Sequence, residues 1–116
     1  MTISVTGGLL TEPFAITDGD PADVFTAERR TMIVSIVVTP STGTPTLTLS
    51  RYDGTTRSYM RNAVAMTAGT AFVWNEPFML DPEGAVEVES SSGTGDMTGW
   101  VTYLNPVAPA VVRGTT

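Results

Sequence analysis

The sequence predicts an all-β fold: a single antiparallel β-sandwich of about eight strands, jelly-roll-like or immunoglobulin-like. Three observations carry that expectation. Short stretches alternate apolar and polar residues, clearest at 31–39 (TMIVSIVVT), 45–52 (PTLTLSRY), 70–74 (TAFVW), 85–89 (AVEVE) and 97–104 (MTGWVTYL). Gly, Pro, Asp and Asn punctuate them at the spacing a compact sandwich requires. No apolar pattern of helical period and length interrupts the series. At 116 residues the chain is sized for one domain with one core.

Residues 1–12 (MTISVTGGLLTE) read as an N-terminal arm, because Gly7-Gly8 loosens the backbone between a short β-prone piece and Leu9-Leu10. Two leucines gain nothing from exposure to water, so the arm is expected to lie on its own domain or on a neighbour. The sandwich is expected over 13–105. Its first strand is 13–17 (PFAIT), followed by the turn signal Asp18-Gly19-Asp20-Pro21, a strand at 23–27 and the polar corner Glu28-Arg29-Arg30. Residues 31–39 (TMIVSIVVT) are the most β-branched stretch. Met32, Val34, Ile36 and Val38 occupy one parity and Ile33 and Val37 the other, which predicts a central strand covered on both faces. The second cover would be the arm or another subunit, so Ile33 and Val37 become candidate partner contacts.

After the turn at 40–44 (PSTGT), 46–51 reads as a strand with Leu47 and Leu49 inward. Asp53-Gly54 is a strong hairpin signal leading into a strand at 56–60, with Tyr59 as its inward anchor. Residues 63–69 (AVAMTAG) read as weakly helical or as a loop ended by Gly69. Strands follow at 70–74 and 77–80, then the turn Asp81-Pro82-Glu83-Gly84, then 85–89 with Val86 and Val88 inward and Glu87 and Glu89 outward. Residues 90–96 (SSSGTGD) make a loop, and 97–104 closes the sheet. Residues 106–116 (PVAPAVVRGTT) are expected as an extended C-terminal tail, since proline cannot donate to a ladder. Leu9 and Leu10 in the arm and Val107, Val111 and Val112 in the tail are the candidate contacts of the two ends.

The chemistry available is narrow. There is no His, no Cys and no Lys; the six cations are all arginines. A serine nucleophile therefore lacks an imidazole or amine partner, and zinc, copper or haem sites lack their usual ligands. No catalytic residue, metal site or cofactor is expected. Asp18, Asp20 and Asp23 superficially resemble the start of a calcium loop, but the glycine and glutamate that should follow are missing, and a solvated turn is the simpler reading. Glu87 and Glu89 could suggest a glycosidase pair, yet they sit on the polar side of an alternating strand. A net charge of −6 disfavours nucleic acid, and the longest apolar run is far short of the roughly 20 residues that cross a membrane. Neither a basic start nor an apolar centre marks a secretory signal, so a soluble protein that folds where it is made is expected. The nine aromatic residues are spread along the strands as a sandwich core requires, and Trp74, Trp100 or Tyr103 could instead line a sugar-binding face.

The order of elements resembles a class of small β-sandwich virion proteins of tailed bacteriophages. The residues that carry the likeness run from Phe25 to Leu104: a strand ending in Phe25-Thr26, IVVT into a Ser/Thr/Gly turn, TLTL, Asp-Gly, Ala68-Gly69 before a strand, Glu76-Pro77-Phe78-Met79-Leu80, a Pro-Glu-Gly turn, AVEVESSSG and a final WVTYL. The chain departs from that class in carrying Pro40 where Asn is common and Ala27-Glu28-Arg29 where Pro-Ala-Gly is usual. The resemblance implies a structural, non-enzymatic particle component located in the virion and assembled in the cytoplasm of the host bacterium. A capsid decoration (cement) protein, of the kind also seen as head fibre or collar piece, is the expected role. Its partners would be the major capsid protein or a neighbouring virion protein, and its own copies in a homotrimer. A collar, tail or baseplate protein of the same class is one alternative, and a carbohydrate-binding module using exposed aromatics is another.

Overall fold

The computed structural model describes residues 9–17, 21–90 and 96–105. They form two antiparallel sheets. In the first, β1 (Leu10–Ile16) pairs with β9 (Met97–Leu104), which pairs with β3 (Thr31–Pro40). The far side of β3 is shared by two short strands, β6 (Phe72–Trp74) and β7 (Phe78–Leu80). In the second sheet the order is β2 (Ala22–Thr26), β8 (Ala85–Ser90), β4 (Thr46–Tyr52) and β5 (Arg57–Ala65). The chain passes from sheet to sheet between most elements, and only β4–β5 and β6–β7 are consecutive within one layer. The expected β-sandwich is present, with nine strands and no helix among the described residues.

Both layers contribute to one core. Ile33, Ile36, Val38, Met97 and Val101 from the first sheet meet Leu47, Leu49, Val86 and Val88 from the second, and each of these is 0% exposed. The alternation seen in TLTL, AVEVE and MTGWVTYL is the alternation of burial along β4, β8 and β9.

β3 corrects the reading of its own pattern. Its register with β9 shifts between Ile33 and Ser35, so Val34 is an extra residue facing no partner of its own. A bulge of this kind moves the following side chains to the other parity. Ile33 before it and Ile36 and Val38 after it therefore all point into the core. The apolar residues on both parities reflect this kink. They do not require a strand sandwiched between two covers, although Met32, Val34 and Val37 on the outer side remain half-buried. A similar shift in β2 between Asp23 and Phe25 lets the adjacent Val24 and Phe25 both be buried.

Three other expectations change. β1 starts at Leu10, ahead of the expected Pro13, because Leu10, Thr11 and Glu12 continue the ladder to Tyr103, Thr102 and Val101. The stretch at 63–69 is neither helix nor loop throughout. β5 runs on to Ala65, where Val64 pairs with Leu47, and Met66 is buried behind it. Ladder pairing with β4 and the burial of Met66 outweigh the helical tendency of an Ala-rich run. Tyr59 is not an inward anchor. Two register shifts between β4 and β5 place it opposite Ser50 on the outer face, 60% exposed, while Met60 packs against the core.

The turns behave as their residues dictate. Gly54, with φ 98°, sits in a four-residue loop in which Asp53 Oδ1 accepts from the amides of Thr55 and Thr56 at 2.9 and 2.7 Å. Gly84 N–H closes the next turn on Asp81 O at 2.8 Å, and Ala27 N–H donates to Gly84 O at 2.8 Å. At the opposite end, Met66, Ala68 and Gly69 donate to the carbonyls of Pro45, Gly43 and Pro40 at 3.0 Å each, tying two loops together.

Candidate interaction faces

Paired residues in a sheet point the same way and neighbours along a strand alternate, so the pairing assigns every side chain to a face. On the outside of the first sheet, Pro13, Trp100, Val37 and Val73 are successive partners across β1, β9, β3 and β6. This apolar row is flanked on one side by Thr11, Thr102 and Ser35 and on the other by Ala15, Thr98 and Thr39. Leu104, Met32 and Met79 form a second apolar row at one end. Trp100 is 45% and Val73 52% exposed. The five strands of this sheet contain one charged residue, Glu12, and it is paired with the inward Val101 at the mouth of the sandwich. Among the described strand residues, the outer face of the first sheet therefore carries no charge.

The outer face of the second sheet is the reverse. Asp23, Glu87, Ser50 and Tyr59 are partners across β2, β8, β4 and β5, with Thr48 and Glu89 beside them. Arg57 forms an ion pair with Glu87, and Ser50 Oγ donates to the same carboxylate at 3.4 Å. A hydrogen bond with Tyr59 and, against a desolvation cost, the charge of Glu87 hold the Arg57 guanidinium above its ordinary value. Four strands here carry six charged side chains, against one in the opposite layer. The two remaining strand arginines turn into the open side between the sheets. Arg51 lies 4.7 Å from the Phe78 ring and donates to Met79 O at 2.9 Å, and Arg61 lies 4.6 Å from the Trp74 ring.

The candidate partner residues are scattered by this geometry. Ile33 is fully buried, so it supplies core and cannot be a contact on the folded domain; the bulge beside it is the reason. Val37 stands at the centre of the apolar row. Leu9 is 62% and Leu10 38% exposed at the start of β1. Val107, Val111 and Val112 lie outside the described residues, as do Asp18 and Asp20 of the acidic turn. Asp23 is on β2, and among the described residues no cluster of three or more acidic, histidine or cysteine side chains is placed to hold a metal ion. Glu87 is engaged by Arg57 and Ser50 and is not poised opposite Glu89.

The aromatic residues weighed as a sugar platform do not share a surface. Tyr103 packs inward on Phe25 with ring centroids 4.7 Å apart. Trp74 is paired with the buried Ile36 and donates its indole N–H to Glu76 O at 2.9 Å. Trp100 alone points outward, on the uncharged face. The residues that sequence reasoning missed are the partners of that tryptophan, Pro13 and Val73. The signal available was the complete absence of charge in 31–39 and 97–104; what was missing was the knowledge that these two stretches lie side by side.

No family model and no curated protein matches this chain. Solved structures do. A chain from the acidic stable capsid of Helicobacter pylori bacteriophage KHP30 superposes with a TM-score of 0.61 at 10% identity, covering 85% of this chain and 89% of that one. A chain of the IBDV viral particle gives 0.55 at 14% identity over 82% of this chain, which spans only 30% of that longer one. A subunit of Bacillus endospore appendages, described as disulfide-linked pili, gives 0.50 at 11% identity and covers 92% of this chain and 96% of that one. At these identities the likeness establishes a shared fold: a β-sandwich found in viral capsids and in a surface filament.

Proposed function

We propose that this chain is a structural protein of a tailed-bacteriophage particle, a decoration (cement) protein seated on the outer capsid against the major capsid protein. The observation that carries this reading is the fold match over nearly the whole of both chains with the phage KHP30 capsid component. The strand order supports it. With β6 and β7 counted as two halves of one interrupted strand, the layers read β1-β9-β3-β6/7 and β2-β8-β4-β5, the arrangement of an eight-stranded jelly roll, in which viral capsid domains are common. An immunoglobulin-type order would instead place β1 beside β2. The chemistry agrees, because four of the seven charged strand residues are used structurally: Arg57 and Glu87 in an ion pair, Arg51 and Arg61 in cation–π contacts.

A filament subunit is the second reading that a comparison favours. The appendage proteins it resembles are disulfide-linked, and this chain has no cysteine with which to make such a link. Residues 1–9, the part of the expected 1–12 arm that precedes β1, and the 106–116 tail are proposed to reach neighbouring subunits, with Leu9 and, at the start of β1, Leu10 as exposed anchors.

Antibody labelling of particles released from the producing bacterium tests the reading. Label over the shell is the expected result. Label confined to the tail or baseplate moves the protein to that part of the particle, and particles without label overturn the proposal. Removing residues 1–9, which stops short of β1, should abolish attachment while leaving the folded domain unchanged by circular dichroism.

A further inference from the structure

We propose that two copies of this chain associate face to face through the uncharged outer surface of the β1-β9-β3-β6/7 sheet, centred on Trp100 and Val37. The inference stands on the sheet geometry and is independent of where the protein resides.

Charge distribution identifies the occupant. A chain of net charge −6 repels its own copy at most approaches, yet the described strand residues of this one surface carry no charge, and every strand carboxylate except Glu12, at the mouth of the sandwich, lies on the opposite layer. The polar residues that border the apolar row are hydroxyls: Thr11, Thr102 and Ser35 on one side, Thr98 and Thr39 on the other. A hydroxyl both donates and accepts, so a two-fold that sets this border against itself meets no like-charge clash and no donor against donor. A basic or acidic partner would find nothing here to pair with.

Three of the four sheet edges are poor routes for strand addition. β1 carries Pro13 at its midpoint, which removes a ladder donor, and the opposite edge is broken between β6 and β7 by Asn75, Glu76 and Pro77. In the other layer β5 is kinked at Ala63, whose φ is 56°, and its amide is taken by Thr48 Oγ1 at 3.2 Å. Strand addition is disfavoured on three edges, while no described residue covers the flat face.

Size sets the strength. Four strands about 4.8 Å apart and about 26 Å long present about 400 Å² of flat area, below the roughly 800 Å² per partner of a standard stable interface. The pairing is therefore weak and reversible, with Trp100 as the central anchor. One self-complementary face closes at two copies, so the product is a dimer and not the cyclic trimer expected from the sequence.

Sedimentation equilibrium of the full chain from low to high micromolar concentration tests this. The expected result is a monomer–dimer equilibrium. Trp100→Glu should weaken it about 30-fold or more, and Val73→Lys, on a residue half exposed at the edge, should weaken it at least about fivefold if the tryptophan variant fails to fold. Tyr59→Glu, on the opposite outer face, should leave it unchanged. In the wild type, tryptophan emission should shift to the blue as dimer forms. A chain that stays monomeric throughout, a trimer, or a Tyr59→Glu effect equal to that of Trp100→Glu would overturn the proposal. None of these results depends on particle labelling, so the two proposals fail separately.

Discussion

Gly99 pairs with Phe14 on one side and Val38 on the other, and both of those side chains turn toward the core. A methyl group added at Gly99 would overlap the Val37 carbonyl oxygen and stand 2.9 Å from Phe14 Cζ. Backbone cannot yield as a flexible side chain can, so Gly99→Ala is expected to destabilise the fold by about 1–3 kcal/mol, read as a lower urea midpoint. Asp53 argues a different kind of residue effect. The amides of Thr56 and then Thr55 donate to its carboxylate and hold its pKa below the ordinary value. A group lowered in the folded state contributes stability above its unfolded pKa and loses it as pH falls through the folded one. Asp53→Ala should therefore lower the urea midpoint at pH 7, and the gap from wild type should close once the pH drops below the lowered carboxylate value. A gap that persists at acid pH would show that the loop depends on Asp53 for something other than its charge.

Along the elements, β3 separates what a pattern can tell from what only pairing can. Its existence, length and apolar character follow directly from TMIVSIVVT, and the positions of nearly all other strands were equally legible from alternation and turn residues. The inward set of β3 was not, because a bulge is a relation between two strands and leaves no mark in one of them. The same limit hid Tyr59, whose side is set by register shifts against β4. The two readings of β3 differ in a measurable way. Simple alternation groups Val34 with Ile36; the bulge places Ile36 in the core and Val34 outside it. Ile36→Ala should cost about 2–5 kcal/mol, whereas Val34→Ala and Val37→Ala should each cost about 1 kcal/mol or less. Equal losses at Val34 and Ile36 would contradict the kinked register.

At the scale of the whole molecule, the property that matters is the sorting of charge between two layers, six charged strand residues against one. That sorting depends on β9 lying between β1 and β3, a pairing of stretches far apart in the chain, and so was invisible in composition alone. It leads to a salt dependence that distinguishes an apolar contact from an electrostatic one. In a face-to-face dimer the charged outer layers of the two copies are about 30 Å apart, at stacked-sheet spacings of about 10 Å. The screening length is about 8 Å in physiological salt, so their repulsion is already nearly gone there. Raising sodium chloride from 50 to 500 mM removes the remainder and leaves the hydrophobic term in place. The dimer should tighten slightly, within about threefold, and ammonium sulfate should tighten it further because excluded salts favour burial. An interface held by Arg57 and the acidic residues of the second sheet would instead loosen over the same range. Sedimentation equilibrium across the salt series reads the sign directly, and a dimer that falls apart at 500 mM would place the contact on the charged layer.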